Sequence, residues 1–189
     1  IFSPHPDDDV ISMGGTFRRL ITQGHDVHVA YETSGNIAVH DDVVLQTIDT
    51  ARECGFEDKY DEVKRIIAGK RKGEPEPLEL RKLKGSIRRA EAKAACRHMG
   101  LNDRTNVHFL NLPFYETGKI QKNPISEADV EIVRNLLREV KPHQIFVAGD
   151  LADPHGTHRV CTDAVFAAVD LEKEEGAKWL KDCRIWMYR

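Results

Sequence analysis

A histidine and three consecutive aspartates stand close together near the beginning of the chain, ahead of a pair of glycines. The segment reads Ser3-Pro-His5-Pro-Asp7-Asp8-Asp9, and Gly14-Gly15-Thr16 follows it. Residues 1–2 are typical of the end of a buried strand and residues 16–23 of a helix, so we expect these charges in a strand-to-helix loop. Like charges this close repel one another, and burying them is costly unless a positive charge lies among them. The segment therefore predicts half of a divalent-metal site.

A second group of polar residues follows an apolar run in the last third of the chain. Residues 144–148 are apolar enough for a strand buried in a parallel sheet, and Asp153, His155 and His158 come after it. Because ligands bind beyond the carboxyl ends of parallel strands, we expect both polar loops at one edge of the sheet. His155 and His158 are three residues apart at a predicted helix start, so they can face the same way. Together with His5 and the aspartates, they predict a His/His/Asp metal site.

The chemistry of such a site suggests how its remaining groups are used. Catalytic zinc has three protein ligands and an open position for water. Adjacent residues of an extended loop point in different directions, so we expect one of Asp7 and Asp8 to bind the metal and the other to act as general base. A histidine that is not a ligand can stabilise or protonate a developing oxyanion.

Strand and helix patterns alternate along the rest of the chain. Strands are predicted at residues 1–2, 25–31, 107–110, 144–148 and 183–189, and helices at 16–23, 42–54, 87–99, 126–139 and up to about 169. This alternation predicts an α/β fold with a doubly wound, mostly parallel sheet and helices on both faces. In the helix over 87–99 the residues expected on the apolar face are Ile87, Ala90, Ala94, Ala95 and Met99. Residues 55–85 are a charged excursion that we expect to be solvated.

Composition restricts the classes of partner. The chain has 189 residues, 40% of them hydrophobic, which is enough for one domain with a full core. The net charge of −3 gives no reason to expect nucleic acid or an anionic membrane as partner, and no apolar run approaches a membrane span. The chain starts and stops on strands, so we expect it to be part of a longer, cytoplasmic protein. Its scattered cysteines, predicted to be reduced thiols, are Cys54, Cys96, Cys161 and Cys183.

Four segments together resemble one enzyme family. His5-Pro-Asp-Asp8, Gly14-Gly15-Thr16, Arg88-Arg-Ala-Glu91 and Asp153-Pro-His-Gly-Thr-His158 are similar, in this order and over nearly the whole chain, to the zinc-dependent LmbE/PIG-L family of N-acetylglucosamine deacetylases. The resemblance implies a Rossmann-like sheet, in agreement with the pattern of strands and helices. It also implies that zinc, or another divalent transition metal, is the cofactor.

The resemblance implies a role for each matching residue. His5, Asp8 and His158 would be the metal ligands, and Asp7 the general base. His155 would assist the oxyanion or the leaving amine. For two further residues, alternatives stay open. Arg88 either contacts substrate or forms an ion pair with Glu91 or a neighbour, and Asp153 either orients a ligand histidine or caps the following turn. The full set of candidate site residues is His5, Asp7, Asp8, Arg88, Asp153, His155 and His158.

The late motif differs from that of many family members, which carry His-Pro-Asp-His where this chain has His155-Gly156-Thr157-His158. We expect the change to alter the hydrogen bonding around the ligand histidine. This variant and the charged excursion resemble family members fused to a glucosamine-6-phosphate deaminase-like module. Such a module and a small-molecule amino sugar are therefore the expected partners, and oligomerisation stays open.

The leading hypothesis is a single deacetylase-like domain over residues 1–189 that hydrolyses the amide of an N-acetylated amino sugar or its conjugate. One alternative is a regulatory domain that binds a sugar phosphate and is attached to a deaminase-like enzyme. Another is a metal phosphohydrolase, which would be favoured by two ions per chain. Dinucleotide binding is disfavoured because no GxGxxG follows the first strand.

Overall fold

The structure is a computed structural model and describes residues 1–56, 59–119, 121–150, 152 and 154–189. Strands and helices alternate as predicted. The strands are β1 (Phe2–Ser3), β2 (Val29–Tyr31), β3 (Val107–Phe109), β4 (Gln144–Ala148) and β5 (Arg184–Tyr188). The α-helices are α1 (Asp8–Thr22), α2 (Asp41–Glu53), α3 (Tyr60–Ala68), α4 (Leu78–Met99), α5 (Glu127–Val140) and α6 (Thr157–Glu174). Short 3-10 helices cover Asn36–Ala38 and Lys178–Asp182.

The strands pair in parallel. Hydrogen bonds join them in the order β1-β2-β3, with Phe2 opposite Ala30 and Tyr31 opposite Phe109, and separately join β4 to β5. The two sets adjoin, since β1 lies beside β4 and the Tyr188 hydroxyl donates to the Phe2 carbonyl at 2.7 Å. The predicted α/β class with parallel strands is therefore confirmed, while the doubly wound, Rossmann-like order stays a prediction.

The side chains of β2 point alternately to the two faces of the sheet, and helices pack on both faces. Val29 and Tyr31 pack into one cluster with residues of α1 and α4, including Phe17 and Cys96. Ala30 packs on the other face, in a larger cluster with residues of α5 and α6. The first cluster's buried members are Phe17, Val27, Val29, Tyr31, Ala92, Cys96 and Leu101. None of the described helices is long and apolar enough to cross a bilayer.

The first helix begins earlier than predicted. We expected the aspartates in a loop ahead of a helix at residue 16, but α1 already starts at Asp8, so that Asp8 and Asp9 lie in its first turn. Carboxylates are favoured there by the helix dipole. The helix is interrupted at Met13, whose backbone is not helical, directly before the glycine pair. The weak helix propensity of two glycines hides this helix from a pattern search.

Most of the described part of the charged excursion is exposed to solvent, as expected, but this part is also folded. Residues 60–68 form α3 and residues 78–85 begin α4. Val63 and Leu80 are buried in a small cluster with Val44 and Ile48 of α2. Phe56 and Leu78 stay exposed, so only part of the sparse apolar content of this stretch packs against α2.

Candidate metal centre

Three side chains meet where the first and last thirds of the chain adjoin. His5 Nδ1 lies 3.2 Å from Asp8 Oδ2 and 3.3 Å from His158 Nε2, and the last two atoms are 3.4 Å apart. The three side chains are between one-sixth and one-quarter exposed. Among the described residues, these three form the group of histidine, cysteine and acidic side chains able to share one ion.

The spacing suits a tetrahedral ion. Zinc lies about 2.0–2.1 Å from nitrogen and oxygen ligands, which in a tetrahedron holds the ligand atoms about 3.4 Å apart. The three observed separations have this value within 0.2 Å. Two imidazoles and one carboxylate are also a donor set that zinc and similar divalent transition metals accept. The residues therefore fit the predicted metal, with a fourth position left for water or substrate.

Two helix starts position the three side chains. Asp8 is the first residue of α1, and its Oδ2 accepts a hydrogen bond from the backbone N–H of His5 at 2.8 Å. His158 is the second residue of α6, which begins after Gly156. Gly156 has φ +71°, a left-handed conformation that favours glycine, so its presence in the HGTH segment has a structural cause. Both turns follow strands, at the carboxyl edge where the sequence predicted the site.

Hydrogen bonding determines the charge state of Asp8. Partial burial raises the pKa of its carboxyl, but hydrogen bonds with His158 and His5 outweigh this effect and hold the pKa well below its usual value. Asp8 is therefore a carboxylate at neutral pH, as a metal ligand must be. Its negative charge would also favour a cation held between this carboxylate and the two imidazoles.

The other two aspartates of the motif have different partners. Asp7 Oδ2 receives Arg88 Nη2 at 2.6 Å, and the same guanidinium contacts Glu91 Oε2 at 2.8 Å. Asp9 is fully buried and accepts hydrogen bonds from the Tyr31 hydroxyl and from the Ser3 hydroxyl. Asp9 is therefore an internal anchor of the turn, whereas Asp7 is more than one-third exposed beside the metal centre.

Arg88 forms the ion pair with Glu91 that the sequence offered as one alternative, and a second ion pair with a neighbouring carboxylate. It pairs with Glu91 on its own helix and also reaches the Asp7 carboxylate. Gly35 makes this approach feasible: it has φ +63°, and a Cβ there would lie 2.8 Å from Pro6 Cδ and 3.4 Å from Arg88 Nε. Substrate contact by Arg88 stays a prediction.

The loop after β3 lines the same edge, and two of its residues, Glu116 and Lys122, were assigned no role from the sequence. Glu116 accepts hydrogen bonds from the Ser34 backbone N–H at 3.0 Å and from Asn36 Nδ2 at 3.1 Å, which fixes the loop after β2. The buried Tyr115 ring meets the His5 ring edge-on, with centroids 5.9 Å apart. Lys122 Nζ lies over the same tyrosine at 4.0 Å from its centroid. Glu116 and Lys122 follow a predicted strand, and this position in the sequence indicates that they lie at the same edge of the sheet.

A further carboxyl is buried at this edge. Glu32 directly follows β2, is 1% exposed, and its Oε1 has no hydrogen-bond partner among the described residues. Burial, with a smaller contribution from the negative charge of Asp8, raises the pKa of Glu32 to about 8. At neutral pH it is therefore mostly a neutral acid, which limits the negative charge beneath the metal centre.

The remaining predicted residues lie in the turn before α6. His155 is exposed there, three residues ahead of His158, and its role in the reaction stays a prediction. Asp153 lies outside the described residues. Cys54, Cys96 and Cys183 are free thiols, as expected, and of these Cys96 is buried and Cys54 is exposed.

Comparisons with known proteins agree with the geometry. Residues 1–169 match the family described as PIG-L, GlcNAc-PI de-N-acetylase. A glucosamine-6-phosphate deaminase-like protein of Bacteroides thetaiotaomicron is 66% identical over 200 aligned positions, which cover 100% of this chain but only 30% of that protein. The solved structure of N,N'-diacetylchitobiose deacetylase from Pyrococcus horikoshii, in complex with an inhibitor, has a similar fold. Its TM-score is 0.61 at 19% identity, over 99% of this chain and 58% of that one. The chain belongs to the PIG-L family of de-N-acetylases.

Proposed function

We propose that this chain is a metal-dependent N-deacetylase that hydrolyses the amide of an N-acetylated amino sugar or its conjugate. The observation that carries the proposal is the tetrahedral spacing of His5 Nδ1, Asp8 Oδ2 and His158 Nε2 in a member of a de-N-acetylase family. These residues would hold zinc or another divalent transition metal. The expected substrate is a small molecule, and neither nucleic acid nor membrane is needed.

The proposed reaction adds water to the acyl carbon, breaks the C–N bond and releases acetate and a free amine. A bound divalent metal polarises the acyl carbonyl and acidifies water. Asp7 would accept the proton of the attacking water, since its carboxylate lies one residue from a ligand and is partly exposed. Arg88 holds the Asp7 carboxylate in place at 2.6 Å and would contact the sugar. His155 would assist the oxyanion or give a proton to the leaving amine, and Asp153 would orient a ligand histidine.

The wider context of the chain is also a proposal. We infer a Rossmann-like strand order in which β1 separates β2 from β4, supported by the contact of β1 with both. The similar Bacteroides protein is named for glucosamine-6-phosphate deaminase, and this chain spans 30% of its length. This supports a longer cytoplasmic protein in which residues 1–189 form one deacetylase-like domain beside a deaminase-like module. An amine released by the first domain is then the class of compound that a deaminase consumes.

Replacement of Asp7 tests the proposed mechanism. Asp7→Asn removes the base but leaves the ligands, so we expect zinc content to stay near one ion per chain. Acetate release from N-acetylated sugars should fall by about 10²–10⁴-fold, the usual contribution of general base catalysis. Acetate is assayed enzymatically with added zinc and with chelator, and the metal is measured by elemental analysis.

The matched control for this test is Asp103→Asn. Asp103 also pairs with an arginine, Arg97, at 2.7 Å, but in the loop that leads into β3 rather than at the metal centre. It should retain wild-type activity. Unchanged turnover in Asp7→Asn would remove Asp7 from the mechanism. If the zinc-loaded wild type binds amino sugars but releases no acetate from any of them, the regulatory alternative replaces the enzyme.

A further inference from the structure

A half-buried lysine stands beside the metal centre without a carboxylate partner in the described part of the chain. Lys122 Nζ lies 4.0 Å from the Tyr115 centroid and makes one weak hydrogen bond, at 3.4 Å, to the Lys119 carbonyl. Partial burial lowers the pKa of Lys122, although the nearby Glu116 opposes the shift. A cation in this position is poorly compensated by the protein, because a cation–π contact replaces only part of its hydration.

Three other cations on this side of the molecule are already paired with carboxylates. Arg88 is paired with both Asp7 and Glu91. Lys70 and Lys84 share the carboxylates of Asp41 and Glu76. Lys122 therefore differs from them: its ammonium is available to an anion that is not part of the described chain.

The position of this ammonium relative to the metal centre is defined by one side chain. The Tyr115 ring contacts the ligand His5 along one direction, at 5.9 Å between centroids, and Lys122 along another, at 4.0 Å. The distance from the Lys122 ammonium to the centroid of the His5 ring therefore cannot exceed the sum of these two distances. This upper limit allows one sugar ring to place one substituent at the metal centre and another at the lysine.

We propose that Lys122 binds an anionic substituent, a phosphate ester or a carboxylate, of the sugar whose N-acetyl group lies at the metal centre. The proposal rests on the deacetylase function proposed above and narrows its substrate class to acidic N-acetylated amino sugars. Lysine is suited to this task because its ammonium is a point charge with three donors, which does not demand one anion geometry.

The test compares the preference for acidic over neutral sugars in the zinc-loaded protein. The ratio of kcat/KM for N-acetylglucosamine 6-phosphate to that for N-acetylglucosamine is measured, and N-acetylmuramic acid provides the carboxylate arm. Wild type should prefer at least one acidic sugar. Lys122→Met should lower that preference about tenfold, the effect expected for one charge-assisted hydrogen bond, and Lys122→Arg should keep most of it. Lys119→Met is the control, since it removes a nearby lysine that has no contact with Tyr115.

The outcomes separate this inference from the deacetylase proposal. A protein that releases acetate with no preference for acidic sugars, or with a preference that survives in Lys122→Met, overturns the role of Lys122 and leaves the deacetylase function intact. If no sugar is hydrolysed, binding of glucosamine 6-phosphate and of glucosamine is compared by calorimetry. Tighter binding of the phosphate that is lost in Lys122→Met would then support the inference although the enzymatic function had failed, and equal binding would overturn it.

Discussion

Asp7, Asp8 and Asp9 are consecutive, yet each carboxylate has different partners. Asp7 is paired with Arg88 at the mouth of the metal centre, Asp8 meets the two histidines, and Asp9 is turned into the core toward Tyr31. Residues in the first turn of a helix point in directions about 100° apart, so three neighbours cannot share one environment. The sequence predicted different roles for Asp7 and Asp8, but it did not predict that Asp9 would contact Tyr31.

The buried carboxyl of Glu32 predicts how stability depends on pH. Its pKa is about 8 in the folded chain and 4.5 when exposed, so between these values the folded state holds a proton that the unfolded state has lost. The free energy of unfolding of metal-free protein should therefore fall as pH rises from about 5 to 8, by an amount on the order of a few kcal/mol. Below this window both states are protonated, and Glu32 contributes no slope. Urea unfolding at pH 5–9 measures it.

Glu32→Gln keeps the shape of the side chain and removes the titration. We expect it to flatten the slope and to be more stable than wild type at pH 8. The exposed Glu53→Gln is the control and should keep the wild-type slope. The same slope in Glu32→Gln and in wild type would show that another group causes the pH dependence.

At the scale of elements, the charged excursion is held down by ion pairs rather than by a large apolar face. Lys84 of α4 contacts Asp41 Oδ1 at 2.8 Å and Glu76 Oε1 at 2.6 Å, and so joins α4 to the start of α2 and to the segment before α4. Lys70 contacts the same two carboxylates, at 2.7 Å each. The two lysines differ in burial: the Lys84 side chain is 5% exposed and that of Lys70 is 29% exposed.

This difference predicts unequal effects of one substitution. Lys84→Met removes the better buried of the two lysines and leaves Asp41 and Glu76 with Lys70 as their shared cation, so we expect a loss of about 1–3 kcal/mol in unfolding free energy. Lys70→Met should cost less than about 1 kcal/mol, because solvent screens an exposed pair. Chemical denaturation of both variants measures the two values. Equal losses would show that burial does not govern this network.

At the scale of the whole molecule, the metal centre joins distant parts of the chain, since His5 and Asp8 are about 150 residues from His158. An ion held by all three binds the folded state and not the unfolded chain, and so stabilises the former. At a zinc concentration of about 100 times Kd, the gain is about 2.7 kcal/mol, or about 5–10 °C in Tm for a chain of this size.

Thermal unfolding with zinc and with chelator measures this gain. His158→Ala removes a ligand and should abolish most of the zinc-dependent shift, whereas His155→Ala should keep it. An equal shift in His158→Ala would mean that zinc stabilises the protein from another site.

The α/β class followed from local patterns. The apolar run at 144–148 and the alternation of strands with helices are properties of short segments, so periodicity reveals them without knowledge of the fold. The position of the candidate site could also be predicted from the order of the strands. Loops after parallel strands meet at one edge, which brings residues 5–8 and His158 into one neighbourhood whatever the details of packing. Their ligand roles stay predictions.

Other features depended on packing between elements and could not be found in this way. We expected Ala90 and Ala94 on the buried face of α4, but both are exposed, while Ala92 and Cys96 are buried. Alanines occur all around this helix, so its composition does not favour one face. The early start of α1 and the folding of residues 60–85 were likewise hidden by glycines and by charges that find partners far along the chain.

The sequence by itself determined the chemistry of this protein: which donors are present, at which strand ends they lie, and what ion they suit. Only the tertiary structure decided how those groups are divided, because that depends on contacts across the chain. Arg88 contacts Asp7, which is 81 residues away along the chain. Lys122 packs on the Tyr115 ring, which in turn contacts His5. Residue type is local, whereas a side chain's charge and partner are set by whatever the fold packs against it.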